Sequence, residues 1–306
     1  MSRVATISTG ADEVTRATGA EAAGPDGGNG SVTAAGPISG AVDVHEVSHY
    51  FRTGAGFQVQ VLDRVSLSIA SGQFTAFVGP SGCGKTTLLN MIARLLTPAA
   101  GELTILGRPA GGRADRRVGY MFARDGLIPW RTAEHNVTFG LEIRRMGRAE
   151  RREYAYKLLE DVGLKGFEQS YPAKLSQGMR QRVAMARTLA IKPQLILLDE
   201  PFAALDAHTR TKLQAEFLRL WEASASTVVM VTHDIVEALL LADRIIVFSA
   251  RPGRIIDDIA VTWPRPRDIE DLRYTPEFTG LASKISSLLR VQEADHDMSA
   301  SSSVSG

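Results

Sequence analysis

The clearest chemistry in the sequence lies in one glycine-rich stretch, which reads Gly79-Pro80-Ser81-Gly82-Cys83-Gly84-Lys85-Thr86-Thr87. This stretch has the spacing G-x-x-x-x-G-K-[ST] of a phosphate-binding loop. Glycines let consecutive backbone N–H groups curl around phosphate oxygens without clashes from Cβ atoms. Lys85 can reach the β- and γ-phosphates of a nucleotide, and the Thr86 hydroxyl can ligate Mg²⁺. The stretch therefore predicts a site for a nucleoside triphosphate.

The residues on either side of this stretch predict the elements that would position it. Residues 74–78 form an apolar run of strand type, and a helical pattern begins after the loop at Leu88, Leu89, Met91, Ile92 and Leu95. The N-terminus of such a helix carries about +0.5 of an elementary charge, which favours a bound phosphate. Because strand, loop and helix follow in this order, a chance match to the spacing is the weaker interpretation.

Three polar side chains follow two further apolar runs, at residues 195–198 and 228–231. Asp199 is expected to hold the Mg²⁺ shell, directly or through water, and Glu200 to orient and polarise the attacking water. His233 is expected to contact the γ-phosphate and sense hydrolysis. A parallel sheet presents its ligands at the carboxyl ends of its strands, so these residues are expected beside the phosphate loop.

A further helix start is predicted in the run Leu175-Ser176-Gln177-Gly178-Met179-Arg180-Gln181-Arg182. Ser176 is a suitable N-cap, and its hydroxyl together with the free N–H groups of the first turn would make an anion site. By spacing alone, this anion site is no better supported than an ordinary capped helix.

Length and composition exclude several classes of protein. The 306 residues are 44% hydrophobic and 23% charged, with a formal net charge of +1, which gives no reason to expect a nucleic-acid partner. The single cysteine, Cys83, excludes an internal disulfide and a cysteine-cluster metal site. No apolar run approaches the ~20 residues of a membrane helix, and the N-terminus lacks the apolar core of a signal peptide. We therefore expect a cytoplasmic protein that reaches any membrane through a partner.

The chain divides into predicted parts of different character. Residues 1–40 are rich in Gly, Ala, Ser and Thr and predict a disordered leader, and residues 291–306 predict a disordered tail. Strands alternate with helices over residues 41–262, which predicts an α/β domain with a parallel sheet and a helical insertion at about 124–190. Short alternating runs near its start predict antiparallel strands. Residues 263–290 predict a helical extension, whose start, 264–267, is interpreted as a stiff linker in preference to a partner-binding segment.

These motifs, in this order, resemble the ATP-binding subunit of an ABC transporter. The resemblance runs from about Val42 to Ser249 and rests on the phosphate loop, the helical insertion, the Ser176 run, Asp199-Glu200-Pro201-Phe202, Ala204-Leu205-Asp206 and Thr232-His233-Asp234. Three shorter runs are similar to the nitrate, sulfonate and taurine importer branch, namely Leu127-Ile128-Pro129-Trp130, Met179-Arg180-Gln181-Arg182 and Ser249-Ala250-Arg251-Pro252-Gly253-Arg254-Ile255.

The resemblance implies an α/β fold: a P-loop NTPase (RecA-like) parallel sheet core, an antiparallel β subdomain and an inserted α-helical subdomain. It implies ATP and Mg²⁺ as cofactors and a head-to-tail pair with a second copy of the chain or with a paralogous cassette. Each ATP would lie between the phosphate loop of one cassette and the signature segment of the other, formed by Leu175, Ser176, Gln177, Gly178 and Met179.

Further residue roles and partners follow from the same resemblance. Phe51, or neighbouring Tyr50, would stack on adenine. Glu200 would be the catalytic carboxylate, His233 the switch residue, and Asp206 part of the loop that crosses the dimer. The helical insertion would dock on a membrane permease at the cytoplasmic face of the membrane, with a substrate-binding protein as an indirect partner.

Two residues depart from the family pattern. Ala123 stands where the family has a glutamine that reaches Mg²⁺ and marks the permease joint, so that link is expected to be absent or supplied by Arg124, Asp125 or water. Gln177 stands where the family has a glycine whose backbone faces the γ-phosphate. Both changes are expected to slow hydrolysis or alter its coupling without abolishing it.

The leading interpretation is an ATPase subunit that energises an importer of small oxyanions or sulfonates. A nucleotide-binding regulatory or pairing subunit with weak hydrolysis is the alternative, and Ala123 and Gln177 are its support. A DNA-repair or chromosome-type ATPase is less favoured because the chain has neither long heptad repeats nor zinc-binding cysteines. A P-loop kinase would need neither the Ser176 helix nor the Asp206 loop.

Overall fold

The computed structural model describes residues 40–52, 57–111 and 114–302, with the side chains of residues 270 and 293–302 excepted. The predicted leader therefore lies outside the described residues apart from Gly40, and residues 303–306 of the predicted tail lie outside them as well.

Ten strands and eight helices follow one another in the described chain. The strands are β1 (Gly40–Arg52), β2 (Gln58–Ala70), β3 (Phe74–Val78), β4 (Ala100–Ile105), β5 (Arg108–Pro109), β6 (Val118–Met121), β7 (Leu195–Asp199), β8 (Thr227–Thr232), β9 (Arg244–Phe248) and β10 (Ile255–Ala260). The helices are α1 (Lys85–Ile92), α2 (Ala133–Ile143), α3 (Arg148–Asp161), α4 (Gln177–Ala190), α5 (Ala207–Glu222), α6 (Ile235–Leu241), α7 (Ile269–Leu272) and α8 (Pro276–Ser302).

The central sheet has six strands in the order β10-β9-β3-β8-β7-β6, and only β10 runs antiparallel to its neighbour. Every residue of β3, β7 and β8 is buried. Such continuous apolar strands form because helices and the second sheet cover both faces of a parallel sheet. The register pairs Val78 with Thr232 and Asp199 with Val231. The carboxyl ends of β3, β7 and β8 therefore meet at one edge.

A second sheet of four antiparallel strands, in the order β2-β1-β4-β5, packs beside the first. Its buried residues include Val42, Leu62 and Ile69, which share one hydrophobic cluster with Leu88 and Ile92 of α1. This packing fixes the helix that follows the phosphate loop. The apolar pattern predicted a helix that includes Leu95, but α1 ends at Ile92 and Leu95 is exposed.

Helices α2, α3 and α4, with a short 3₁₀ turn at Pro172–Lys174, fill the chain between β6 and β7, where the sequence predicted a helical insertion. Their apolar stripes meet in one core, to which Val137, Leu158, Leu159 and Val183 contribute. Gly163 follows α3 with φ of +71°, a conformation that suits glycine after a helix end.

The C-terminal extension begins with two arginines that anchor it to the core. The Arg265 guanidinium donates to Asp243 Oδ1 at 2.7 and 2.9 Å and lies over the ring of Trp221, 4.3 Å from its centroid. Buried Arg267 donates to the carbonyl oxygens of Leu240 and Ala242 at 3.2 and 2.8 Å. Residues 264–267 are thus part of the packed structure, and the description of this run as a linker is incomplete.

The last helix, α8, extends further than the sequence predicted. It continues to Ser302, so the predicted disordered tail from residue 291 is corrected over residues 291–302. No proline or glycine interrupts that stretch, and it contains the good helix formers Ala, Glu and Gln. Although α8 has 27 residues, none of the described helices is long and apolar enough to cross a bilayer.

The first prediction concerns the anchor of α8. Phe278 is only 4% exposed, and its ring stacks on Trp263 with centroids 5.6 Å apart. We expect Phe278→Ala to lower the free energy of unfolding by about 3–5 kcal/mol, because it leaves a cavity under α8. Tyr274→Ala is the matched control, since Tyr274 is 86% exposed, and it should change stability by no more than about 0.5 kcal/mol. Urea unfolding of both variants measures the difference, and equal midpoints would contradict the packing.

Candidate functional site

The phosphate loop connects β3 to α1 and is held in shape by its own lysine. Buried Lys85 donates from Nζ to the carbonyl oxygens of Gly79 and Pro80, both at 2.7 Å. Gly84 has φ of +103°, and a Cβ there would lie 2.7 Å from Leu62 Cδ2 and 2.9 Å from Val61 O. Glycine is therefore required at residue 84 both for its backbone conformation and for the space it leaves.

Thr86 and Asp199 meet across the central sheet. The Thr86 hydroxyl donates to Asp199 Oδ1 at 2.8 Å. Burial raises the pKa of Asp199, while the hydrogen bond from Thr86 opposes that rise. A hydroxyl and a carboxylate side by side fit Mg²⁺, which commonly takes one or two protein oxygens and completes its shell with phosphate oxygens and water.

Glu200 and His233 stand next to one another at the ends of β7 and β8. Glu200 has φ of +45°, an unusual backbone conformation for a non-glycine residue, and its N–H donates to Val231 O at 2.9 Å. Its carboxylate Oε1 lies 3.4 Å from His233 Nδ1. Both side chains are partly exposed, so water can reach the carboxylate.

The phosphate loop and Glu200 border a cavity of about 470 Å³, and Asp199 and His233 lie next to lining residues without being part of the lining. Its lining consists of Phe51, Val59, Val61, Ser81, Gly82, Gly84, Lys85, Thr86, Thr87, Glu200, Val231 and Arg251. Phe51 is 43% exposed and its ring meets His49 edge to face, whereas neighbouring Tyr50 is not part of this lining. Of the two aromatic candidates, Phe51 therefore has the position that suits contact with a base. Gly79, Pro80 and Cys83 support the loop from behind, since Gly79 packs against Phe248 and Cys83 is buried.

The signature segment and Asp206 are not part of the lining of this cavity. Ser176 caps α4 by accepting from Met179 N at 3.3 Å, and Asp206 caps α5 by accepting from Thr209 N at 3.0 Å, which lowers the pKa of Asp206. A Cβ on Gly178 would lie 2.9 Å from Thr209 Cγ2, so the two helix starts are in close contact. Leu175 is buried, while Ser176 and Gln177 are exposed. The two helix N-termini thus form one exposed surface, which does not line the cavity of the same chain.

The loop after β6 is tied to α4. Ala123 is exposed, and the Asp125 carboxylate accepts from Arg180 Nε at 2.9 Å and from Leu127 N at 3.2 Å. Arg187 donates to the carbonyl oxygens of Asp125 and Gly126 at 2.8 and 2.7 Å. Because both carboxylate oxygens of Asp125 have partners, Asp125 is a poor substitute for the glutamine missing at residue 123.

A buried carboxyl group that was not predicted from the sequence, Glu237, contacts Thr232 at the end of β8. Glu237 accepts from Thr232 Oγ1 with one oxygen and from Gln214 Nε2 at 3.2 Å with the other, and Asp234 and Arg210 lie nearby. Burial raises the pKa of Glu237 to about 7. Asp234 as N-cap with Glu three residues on is a recognisable helix start, but the sequence does not show that this Glu is buried.

The second prediction follows from the raised pKa of Glu237. Between about pH 4.5 and 7 the folded protein keeps a proton that the unfolded chain releases, so the stability of the fold falls as pH rises through that range. Glu237→Gln has no charge to bury. As pH rises from 4.5 to 8, we expect the free energy of unfolding of the variant to increase by about 3 kcal/mol relative to that of the unsubstituted protein. Urea unfolding at several pH values measures this difference. Glu102→Gln, at an exposed residue, is the control. If the free energy of unfolding depended on pH in the same way for Glu237→Gln and the unsubstituted protein, the burial of a charge at residue 237 would be contradicted.

Comparison with known proteins identifies the family. A family model described as ABC transporter matches residues 62–203. An uncharacterized ABC transporter ATP-binding protein of Methanocaldococcus jannaschii is 48% identical over 236 residues, which cover 77% of this chain and 86% of that protein. The taurine import ATP-binding protein TauB of Yersinia pestis is 47% identical over 202 residues, covering 66% of this chain and 79% of that protein.

A solved structure agrees with these relatives. It is the dimeric, post-hydrolysis state of an ATP-binding cassette bound to ADP and Pi, which is 35% identical with a TM-score of 0.66 and covers 73% of this chain and all of that one. The predicted family, the predicted P-loop NTPase fold and the predicted ATPase activity coupled to transport are confirmed. The chain belongs to the ATP-binding proteins of ABC transporters.

Proposed function

We propose that this chain hydrolyses ATP to drive an importer of taurine-like sulfonates or related small oxyanions. The observation that carries the proposal is the cavity bordered by the phosphate loop and Glu200, with Asp199 and His233 beside it. The relatives named as taurine import proteins support the import of a sulfonate.

Binding of ATP begins with the phosphate loop and Phe51. The backbone N–H groups of the loop and the N-terminus of α1 face the phosphates, and the Phe51 ring stacks on adenine. Lys85 exchanges its two bonds to loop carbonyls for bonds to phosphate oxygens, which are stronger because both partners are charged.

Thr86 and Asp199 are the residues that would hold Mg²⁺. The ion, when bound, neutralises charge on the phosphates. Asp199 is buried and already bonded to Thr86, so these two oxygens need little movement to face the ion. Burial raises the pKa of Asp199 and so disfavours its ionised form, which a bound cation would stabilise.

Glu200 is proposed to polarise the attacking water, and His233 to contact the γ-phosphate. Their 3.4 Å separation lets both groups reach one water molecule or phosphate oxygen. The fixed backbone of Glu200, bonded to Val231 O, keeps the carboxylate at the cavity while the adjacent strand holds His233.

The second wall of the site is proposed to come from another cassette, either a second copy of this chain or a paralogue. Exposed Ser176 and Gln177 lie at a free helix N-terminus, which attracts phosphate. The solved dimeric cassette supports such pairing. Gln177 adds a side chain where closure demands a close backbone approach, so we expect slower closure than a glycine would give.

Contact with a membrane permease is proposed for the helical segment and the loop after β6. Large apolar side chains are exposed there, with Trp130 at 77%, Ile143 at 53%, Phe122 at 45% and Phe139 at 40%. Large apolar side chains left exposed along one segment of the chain favour a protein-binding role for it. The permease would hold the chain at the cytoplasmic face of the membrane, and a substrate-binding protein would contact only the permease.

A regulatory or pairing subunit with weak hydrolysis is the second candidate. Exposed Ala123 has no group to contact Mg²⁺, and Asp125 is committed to Arg180. Both observations weaken the link between the β6 loop and the γ-phosphate. ATPase assays distinguish the two candidates.

The third prediction concerns Glu200. We expect Glu200→Gln to lower kcat for ATP hydrolysis by about 10²- to 10⁴-fold, because the amide cannot accept a proton from water, while the affinity for MgATP is kept. Glu102→Gln, an exposed carboxyl on β4, is the matched control and should hydrolyse ATP normally. An unsubstituted protein no faster than Glu200→Gln would favour the regulatory subunit.

The fourth prediction tests import. The chain is purified with its permease and substrate-binding protein and reconstituted in proteoliposomes, and uptake of taurine, an alkanesulfonate and nitrate is measured with MgATP on the side of the cassette. We expect sulfonate uptake that disappears with Glu200→Gln. ATP hydrolysis without uptake of any of the three anions would refute the proposed substrate class and leave the ATPase role intact.

A further inference from the structure

We propose that Arg251 is a nucleotide-binding residue, whose guanidinium contacts the polyphosphate of ATP beside the phosphate loop. The inference rests on the proposed ATP-binding role of the cavity. Arg251 stands in the turn between β9 and β10, 164 positions beyond Thr87 by residue number, so neither the loop motif nor the strand-end residues point to it.

The side chain of Arg251 borders the same cavity as Lys85 and Thr86. Its Nε donates to Gly82 O at 3.2 Å, and its Nη2 lies 3.0 Å from the place a Gly82 Cβ would take. Among the described residues, no carboxylate forms an ion pair with Arg251, which is exposed. Arg251 therefore brings a positive charge without a carboxylate partner to the lining of the cavity.

The turn that carries Arg251 is tightly held against the phosphate loop. A Cβ on Gly253 would lie 2.0 Å from Cys83 O, so only glycine allows this approach. Gly253 N donates to Val61 O at 2.8 Å, and Asp63 N donates to Gly253 O at 3.1 Å. The backbone of residue 251 thus has a defined position relative to the loop.

The charge balance of the cavity calls for a second cation. Lys85 and Arg251 are the cations of the lining, whereas Glu200 contributes a negative charge and Asp199 lies beside it. A triphosphate adds several negative charges to a site that already holds these carboxylates. An arginine is well suited to that task, since its planar fork can bond two phosphate oxygens at once.

Arg251 also orients one peptide unit of the loop. The C=O and N–H of a trans peptide point in opposite directions, so a Gly82 carbonyl turned toward Arg251 turns the Cys83 N–H away from it. That N–H lies 3.5 Å from Pro80 O, a long contact that a phosphate oxygen can replace. Arg251 therefore acts on the nucleotide both directly and through the loop.

The fifth prediction compares Arg251→Ala, Arg251→Lys and Arg254→Ala in the full chain. Titration calorimetry gives dissociation constants for MgATP, MgADP and AMP. We expect Arg251→Ala to weaken the binding of MgATP about 10- to 100-fold, because the lost contact is to the polyphosphate. The binding of MgADP should weaken less, and that of AMP should hardly change. Arg251→Lys should recover part of the loss, since it restores the charge without the fork. Arg254→Ala, in the same turn but paired with Asp63, should keep the affinity for MgATP within about threefold.

Thermal unfolding without nucleotide separates binding from support of the fold. Arg251→Ala should unfold at the same temperature as the unsubstituted protein, because Arg251 is exposed. If Arg251→Ala lost affinity equally for all three nucleotides and also unfolded at a lower temperature, the inference would be overturned in favour of a structural role. Unchanged affinity in Arg251→Ala would overturn it outright. If the unsubstituted protein fails to bind MgATP, the proposed function falls too, which distinguishes that failure from a failure of the inference alone.

Discussion

The parallel register of β3, β8 and β7 is the constraint on which the site depends. Val78 pairs with Thr232 and Asp199 with Val231, so the phosphate loop, His233 and Glu200 all emerge at one edge of the sheet. Side chains alternate along a strand, and a shift of one residue in β7 would turn Asp199 away from Thr86. Burial of every residue in these strands opposes such a shift, because it would remake the packing on both faces.

The surface proposed to meet a second cassette has its own internal coupling. Gly178 brings the first turn of α4 against Thr209 in α5, so the signature segment and the Asp206 loop keep one relative position. Arg210 then connects α5 to Asp234 at 3.3 Å and to Leu205 O at 3.0 Å. Because Asp234 directly follows His233, Arg210 links the segment of His233 with Leu205 beside Asp206.

Local pattern was enough to predict the phosphate loop, the two carboxylates at the end of β7 and most buried strands, because each depends on a few consecutive residues. Arg251 and Glu237 were missed because their roles depend on packing between distant segments. The turn that carries Arg251 lies beside the cavity because Gly253 fits against Cys83 O. The raised pKa of Glu237 depends on its burial between α5 and α6. The prediction of a linker at residues 264–267 was incomplete for the same reason. The contacts of Arg265 with Asp243 and Trp221 join segments that are distant in the sequence.

Helix α4 connects the loop after β6, where residue 123 is alanine, with the segment after β7. Gln181 donates to Pro201 O, directly after Glu200, while Arg180 and Arg187 of the same helix hold Asp125 and Gly126. One helix thus contacts both the segment of the proposed catalytic carboxylate and the loop proposed to meet the permease. Because Ser176 caps the same helix, the proposed closure of a second cassette onto the start of α4 would move the loop after β6 with it. Under the proposed function, mechanical coupling through α4 replaces the side-chain contact to Mg²⁺ that Ala123 cannot make.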